Sequence, residues 1–439
     1  MRTRVKSPLA PFSAFFAEGG AFFVDKRADL RIIGSVALEN GARMGYNVGM
    51  EFQDIVIGGG ASGMACAVML ARKGRKVVVL EAQDRTLKKL LATGNGRCNL
   101  SNAAVSPDRY NAPDFVRYAL ESFDGEKVSR FFLSVGLLLR EEEGRIYPYS
   151  LNAGSVVNVL LRAAKAAGVT LAESAKVEKI IRREKFEVYA AGKKYVAQNV
   201  VFAAGSNATS GRDSLSLLKF FGHDVTPRYA SISYIPCSCV RGASGVRARA
   251  ALSLICDGRT VFSGEGELLF KDNALSGILA FEASSRYARA LRQGKTCTGE
   301  IDFAPDRTRE DLEGFFSSLD CDCEQALCGI VHRALAAAIA KKAGVKGGAR
   351  LNAGLLARTV KGYALTFDGA CDVKNAQVVC GGLELSSFDP QTMRSRLVPG
   401  LYATGEALDV DGDCGGFNLH WAWASAYTAA KAIVGDNDD

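Results

Sequence analysis

Gly58, Gly60 and Gly63 stand in a G-x-G-x-x-G spacing between a β-branched run, Asp54–Ile57, and a stretch of small and apolar residues, 64–73. A second β-branched run, 76–80, follows Gly74 and ends at Glu81. Strand, glycine turn, helix and strand within about 30 residues is the pattern of a dinucleotide-binding βαβ unit. The glycines permit a tight turn, close approach of backbone to a pyrophosphate, and close packing of helix on strand. The helix N-terminus offers N–H groups and positive potential to phosphates, and Ala61 and Ser62 before it are among the expected cofactor contacts. Glu81 lies 21 residues beyond Gly60, where a carboxylate can accept hydrogen bonds from ribose hydroxyls. Both NAD and FAD are held this way. No second G-x-G-x-x-G is present, so the expected arrangement is a resident FAD with NAD(P)H as a transient reductant.

Two further glycine-containing segments add to this expectation. Residues 88–102 read KKLLATGNGRCNLSN, a loop whose arginine can wrap a flavin phosphate and ribityl chain. An ordinary surface turn is the alternative. Residues 400–409 read GLYATGEALD, and 412–418 read GDCGGFN before a final Ala-rich helix, 419–434. A short strand ending in glycine and an acid can deliver a carboxylate to ribityl hydroxyls. The helix behind it would aim its positive end at the N1–C2 carbonyl edge of an isoalloxazine ring and stabilise an anionic reduced flavin. A capped helix with a glycine turn is the plainer reading.

Together these stretches resemble the flavoprotein family of the BaiN-type bile-acid 3-dehydro-Δ4,6-reductases, also labelled the aminoacetone oxidase family. The matching segments are IGGGASGMACAVMLARKG, LLATGNGRCNLSN, GRIYPYS, GELLFKDNALSG and the run from Met393 to Tyr427. The resemblance covers nearly all of Asp54–Ile433. It implies an α/β fold: a Rossmann-like FAD-binding domain built from both chain ends, an inserted β-barrel-like domain and a small helical domain. It places Gly58, Gly60, Gly63 and Glu81 on the adenosine diphosphate half. Lys89, Arg97, Cys98 and Asn99 would lie near the flavin half, and Val177 would meet adenine through its backbone. Glu406, Gly416, Phe417 and Asn418 would contact ribityl and ring. The family's Thr-Gly-Gly triplets read here as Ala204-Gly205-Ser206 and Cys380-Gly381-Gly382, and the loop after Ser206 is altered as well. Ala204 and Gly205 still count among the expected cofactor contacts.

The expected boundaries are 51–206 and 371–439 for the FAD-binding domain, 207–304 and 346–370 for the β-rich insert, and 305–345 for the helical part. Residues 1–49 carry seven basic and four acidic side chains, +3 of the total formal charge of +8. They lack a clear cleavage site and read as a non-native or disordered extension, with Met44 or Met50 as the expected start. The remaining +5 is thinly spread, without a basic block interleaved with aromatics, so nucleic-acid binding is not expected. No apolar run is long enough to span a bilayer, and a cytoplasmic location is expected. The twelve cysteines are scattered without a C-x-x-C pair, which favours free thiols. Oligomeric state is open.

Several other signals are weaker. Cys321, Cys323, Cys328 and His332 fall within twelve residues, but C-x-C at a helix start is poor tetrahedral spacing, and no metal is expected. Cys98 and Cys414 both fall in the flavin-associated stretches; inert thiols are favoured over redox-active ones. His420, beside Trp421 and Trp423, reads as a packing residue rather than a base. Ser62 has no partner for acyl chemistry. The expected activity is hydride transfer between NAD(P)H, flavin and an organic small molecule, enone-like if the resemblance extends to activity. No catalytic residue is assigned; Tyr147, Tyr149 and Tyr234 are proton-donor candidates by chemistry alone. An oxygen-dependent flavin amine oxidase and a flavin-carrying sensor without turnover are the alternatives.

Overall fold

A computed structural model of the chain describes residues 49–206, 214–237, 240, 242–345, 352–373 and 376–435. The extension expected at 1–49, apart from Gly49, lies outside the described residues, as does the altered loop 207–213.

Five strands form a parallel sheet in the order Leu401–Ala403, Asn199–Phe202, Asp54–Ile57, Val77–Leu80, Thr170–Ala172. The central strands read DIVI and VVVL and are buried throughout. Unbroken β-branched runs are what a sheet covered on both faces requires. The pairing Ile57↔Leu80 and Phe202↔Ile57 ends the strands level with one another. Their carboxyl ends therefore release Gly58, Glu81, Ala203 and Thr404 along one edge, where ligands of open α/β sheets bind. At the opposite end, Asp54 is fully buried and held by Arg75 (Nη2 to Oδ1, 2.8 Å) and Asn199 (Nδ2 to Oδ1, 2.9 Å). A buried carboxylate needs such partners.

The first helix, Ala61–Arg72, packs on the last, Phe417–Val434. One hydrophobic core runs from Phe52 to Val434 and joins the two chain ends. A four-stranded sheet flanks it, with Val177–Arg182, Phe186–Ala190 and Lys193–Ala197 as an antiparallel meander. The span 83–155 holds two amphipathic helices, Pro113–Ser122 and Gly125–Ser134, and a small antiparallel sheet.

A separate core spans Ile235–Leu365. Its sheet has six strands, all antiparallel, in the order Ile235–Pro236, Ala274–Ser276, Arg259–Lys271, Arg247–Cys256, Cys297–Asp302, Tyr363–Thr366. A 15-residue helix, Ile278–Arg292, packs on this sheet. It falls within the insert expected to be β-rich. The helices Arg309–Ser317, Cys323–Cys328 and Arg333–Lys342 complete this core, the first two opened by capping boxes at Thr308 and Asp322. One expectation is overturned here. Cys256 and Cys297 face each other across paired strands and form a disulfide, so not all thiols are free.

No helix among the described residues is long and apolar enough to cross a membrane.

Candidate active site

The carboxyl edge of the parallel sheet opens into a cleft of about 1370 Å³. Its walls include the glycine turn and the 88–99 loop, the C-terminal Glu406–Leu419 region, and the insert. Glu81 and Asn418 line the same cleft, as do Gly58, Gly60, Ala61, Ser62, Lys89, Arg97, Asn99, Val177, Ala204, Gly205, Glu406 and Gly416. Gly63, Cys98 and Phe417 do not line it.

The three glycines of the turn do different work. A Cβ on Gly63 would sit 2.0 Å from the Gly58 carbonyl oxygen, and one on Gly58 2.4 Å from the Ala203 carbonyl oxygen. Those two glycines serve helix–strand contact. A Cβ on Gly60 would meet nothing within 4 Å; its surroundings are open cleft. The first intrahelical bond runs from Met64 N to Gly60 O at 2.9 Å. The N–H groups of Ala61 and Ser62 have no protein partner among the described residues and no side chain caps the helix. Glu81 braces the turn, accepting from the N–H of Gly59 (2.7 Å) and of Gln83 (2.8 Å). This cradle fits a pyrophosphate: free N–H donors, a helix dipole, and bare backbone.

The opposite end fits an isoalloxazine ring. Gly416 opens the last helix at φ +103, and a Cβ there would sit 2.4 Å from Ser101 O and 2.7 Å from Asn99 Oδ1. Nothing caps this helix either. The Asn99 side chain, almost fully buried, has no hydrogen bond among the described residues. Asn418 is committed elsewhere. Its Oδ1 accepts from Gly412 N (2.9 Å), and its Nδ2 donates to Gly412 O (2.9 Å) and Asp413 O (3.3 Å). It lines the cleft while its amide latches the preceding loop. Glu406 Oε2 receives Lys89 Nζ (2.6 Å) and Ser206 Oγ (3.1 Å). Arg97 pairs with Glu142 and stacks 4.4 Å over the Tyr147 ring.

Cys98 is buried at φ +59, and its thiol is pushed up to about 12 by burial. Cys414 does line the cleft; burial and then Glu282 push its thiol up to about 12 as well. Neither is a thiolate at neutral pH. His420 is fully buried between Ser101 Oγ (2.8 Å, at Nδ1) and Phe123 O (3.1 Å, at Nε2), and burial drives its pKa down to about 4. It is a packing residue. Among the tyrosines, Tyr147 lines the cleft; Tyr149 is 63% exposed and, like Tyr234, does not. His332 caps the Arg333–Lys342 helix through Nδ1, and no group of metal ligands forms among the described residues.

The wall that sequence reasoning missed belongs to the insert. Ile232, Leu269, Ser276, Ile278 and Phe281 of the insert line the cleft, joined by Val378 of the FAD-binding domain. Three arginines at i, i+3 and i+6 on the Ile278–Arg292 helix meet three alternate aspartates before the last helix. Arg292 Nη1 reaches Asp409 Oδ1 (2.8 Å), Arg289 Nη2 reaches Asp411 Oδ2 (2.9 Å), and Arg286 Nη2 reaches Asp413 Oδ2 (3.0 Å). Burial pushes the Asp411 carboxyl up, while Arg289 pulls against it. The periodicities, three along a helix and two along an extended chain, were visible in sequence; their matching was not.

Parallel sheet, glycine turn and two-ended cleft define a Rossmann-type dinucleotide protein of the flavoprotein class. The chain belongs to the HI0933-like protein Rossmann domain family, which matches residues 52–432. It is 32% identical over 401 residues to a 3-dehydro-bile acid delta(4,6)-reductase of Clostridium scindens, covering 86% of this chain and 98% of that protein. It is 26% identical over 408 residues to a ribosomal RNA dihydrouridine synthase of Haemophilus influenzae, covering 87% and 98%. A solved 3-ketosteroid-delta4-(5alpha)-dehydrogenase of Rhodococcus jostii RHA1 matches with TM-score 0.42 at 14% identity, covering 88% and 98%. The chain is an FAD-dependent oxidoreductase.

Proposed function

We propose that this cytoplasmic enzyme takes reducing equivalents from NAD(P)H and delivers hydride to a carbon–carbon double bond conjugated with a carbonyl in a small organic substrate. The observation that carries the reading is one cleft of about 1370 Å³ shared by the cofactor cradle and an apolar wall of the insert. That exceeds the roughly 300–1,000 Å³ usual for one drug-sized ligand. The apolar side chains Ile232, Leu269, Ile278, Phe281 and Val378 suit a largely hydrocarbon substrate. The bile-acid reductase that the chain resembles acts, by its name, on a 3-dehydro delta(4,6) bile acid, an alkene conjugated to a carbonyl.

The cofactor-holding roles follow from the fit. Gly60, Ala61 and Ser62 would hold the pyrophosphate through backbone N–H, Glu81 the ribose, and Lys89 and Glu406 the ribityl region. Asn99, Gly416 and the N-terminus of the last helix would border the ring. When bound, FAD supplies the two-electron hydride chemistry. The protein orients the substrate, excludes water and supplies a proton, with Tyr147 as the tyrosine that lines the cleft.

Purified protein should show an oxidised flavin spectrum, and anaerobic titration with NADH and NADPH should bleach it. A flavin that neither nicotinamide reduces would defeat the reading and favour the oxygen-dependent amine oxidase. A reduced flavin that no conjugated ketone reoxidises under argon would defeat the substrate class.

A further inference from the structure

Three helices aim uncapped N-termini at this one cleft. The first and last suit the two ends of the cofactor. The third is the insert helix, Ile278–Arg292. Its N-cap, Gly277, contributes no side-chain cap, and no acid occupies its first turn. The first bond into the helix is Phe281 N to Gly277 O at 3.0 Å. The N–H groups of Ile278, Leu279 and Ala280 therefore have no protein acceptor among the described residues. Gly277 and Ile278 line the cleft.

Ser276 supplies an independent observation. It is 5% exposed, lines the cleft beside that helix end, and its hydroxyl has no hydrogen-bond partner among the described residues. A hydroxyl that lines a cleft without a protein partner is free to donate to a ligand there.

The arginine–aspartate ladder fixes where this helix end stands. Moving from Arg292 to Arg286 along the helix tracks Asp409 to Asp413 along the facing loop, in opposite chain directions. One step further, Glu282 meets Arg145 (3.5 Å), whose Nε lies 3.7 Å from the Cβ position of Gly415. Ile278 is one more turn along, about 6 Å. The ladder thus brings the insert helix's positive end towards Gly415–Gly416, where the last helix begins. Gly277 sits at φ +93 against β-strand backbone, its Cβ position 2.7 Å from Glu267 O, which holds the helix start in place.

We infer that Ser276 and the N-terminus of the Ile278–Arg292 helix hold the carbonyl oxygen of the substrate and stabilise the negative charge that gathers there during reduction. The inference rests on the proposed function. Hydride adds to the β-carbon, the alkene pair shifts to the α-carbon–carbonyl-carbon bond, and the carbonyl pair ends on oxygen. A proton from solvent or a protein acid then reaches the α-carbon. The two electrons come from reduced flavin, recharged by NAD(P)H. Fixed N–H donors at the oxygen need no reorganisation as the charge develops.

Phenols test this, because a phenolate mimics the substrate oxyanion. Oxidised holoenzyme is titrated with 4-chlorophenol at pH 7.5, and the long-wavelength charge-transfer band of phenolate on flavin gives the dissociation constant. Wild type should bind it as phenolate below its free pKa. Ser276→Ala should weaken binding about ten-fold. Ile278→Pro removes one free N–H at the first helical position, which tolerates proline, and should weaken it several-fold. Both variants should keep their flavin and melting temperature. Equal phenol affinity in wild type and variants would overturn the inference, as would variants that lose FAD but bind phenol normally once reloaded. Wild type that binds no phenol, though NAD(P)H bleaches its flavin, would overturn it and leave the proposed function standing. Phenol bound in a Ser276-dependent way by a flavin that neither nicotinamide reduces would support it while sinking the nicotinamide reading.

Discussion

Lys89 Nζ lies 2.6 Å from Glu406 Oε2, although 317 positions separate them. This ion pair ties the loop after the βαβ unit to the segment that leads into the last helix, and both partners line the cleft. Neither is fully exposed, at 33% and 17%, so solvent screens the pair only in part. In the proposed function it holds Glu406 for ribityl hydroxyls. Lys89→Met should weaken FAD binding by about ten-fold, or ~1.4 kcal/mol, with little change in the apoprotein's melting temperature. Fluorescence titration of apoprotein with FAD measures this; an unchanged dissociation constant would remove Lys89 from the site.

The turn glycines separate folding from binding. Gly63→Ala puts a methyl 2.0 Å from a backbone oxygen. Backbone cannot swing aside as a side chain can, so overpacking of about 1–3 kcal/mol follows. The melting temperature of apoprotein and holoprotein should fall by several degrees. Gly60→Ala is different. The residue has φ −80, which alanine adopts freely, and its Cβ would enter open cleft. Apoprotein should melt as wild type, while FAD affinity drops about ten-fold or more because backbone must approach the pyrophosphate there. Equal losses of stability in both variants would refute this division.

Thiol reactivity should follow burial rather than proximity to the cofactor. Cys98 and Cys414, both pushed up to about 12, hold a negligible thiolate fraction at pH 8. Cys328 is exposed. Alkylation of native protein, read by mass spectrometry, should label Cys328 first and leave Cys98 and Cys414 intact over the same interval. Cys256 and Cys297 should take label only after reduction. Rapid labelling of Cys414 would revive the redox-active alternative.

How much of this was written legibly in the chain depends on range. The βαβ unit was legible because its signals are local: β-branched runs, glycine spacing and one acid, all between Asp54 and Glu81. The closing helix was legible for the same reason. The helices Pro113–Ser122 and Gly125–Ser134 did carry helical spacing, Val116–Ala119–Leu120 and Val128–Phe131–Phe132. The abundant turn residues around them obscured it. The insert helix hid behind small and polar interior residues, Ala280, Ala283, Ser284 and Ser285, which bury well only because a sheet lies close. Asn418 shows the deeper limit. Its place in the cleft was legible, but the commitment of its amide to Gly412 and Asp413 depends on loop geometry that no spacing encodes. The disulfide likewise depends on strand register, with Cys256 opposite Cys297 across 41 positions.

His420 should make the protein acid-sensitive. Its pKa falls to about 4 in the folded state, from 6.5 when unfolded, because burial penalises the imidazolium. Folded protein therefore keeps the ring neutral, with Nε2–H donating to Phe123 O and Nδ1 accepting from Ser101. Below pH 6.5 the unfolded chain binds a proton that the folded chain refuses. Stability is complete above 6.5 and is lost as pH falls from there towards 4. The full span of the shift corresponds to about 3 kcal/mol. His223, whose pKa burial also lowers, acts in the same direction. His420→Gln retains a donor for Phe123 O but cannot titrate. Its melting temperature should be lower than wild type at pH 7, and the gap should narrow by several degrees at pH 5. Parallel melting curves for the two proteins across that range would show that another group carries the acid sensitivity.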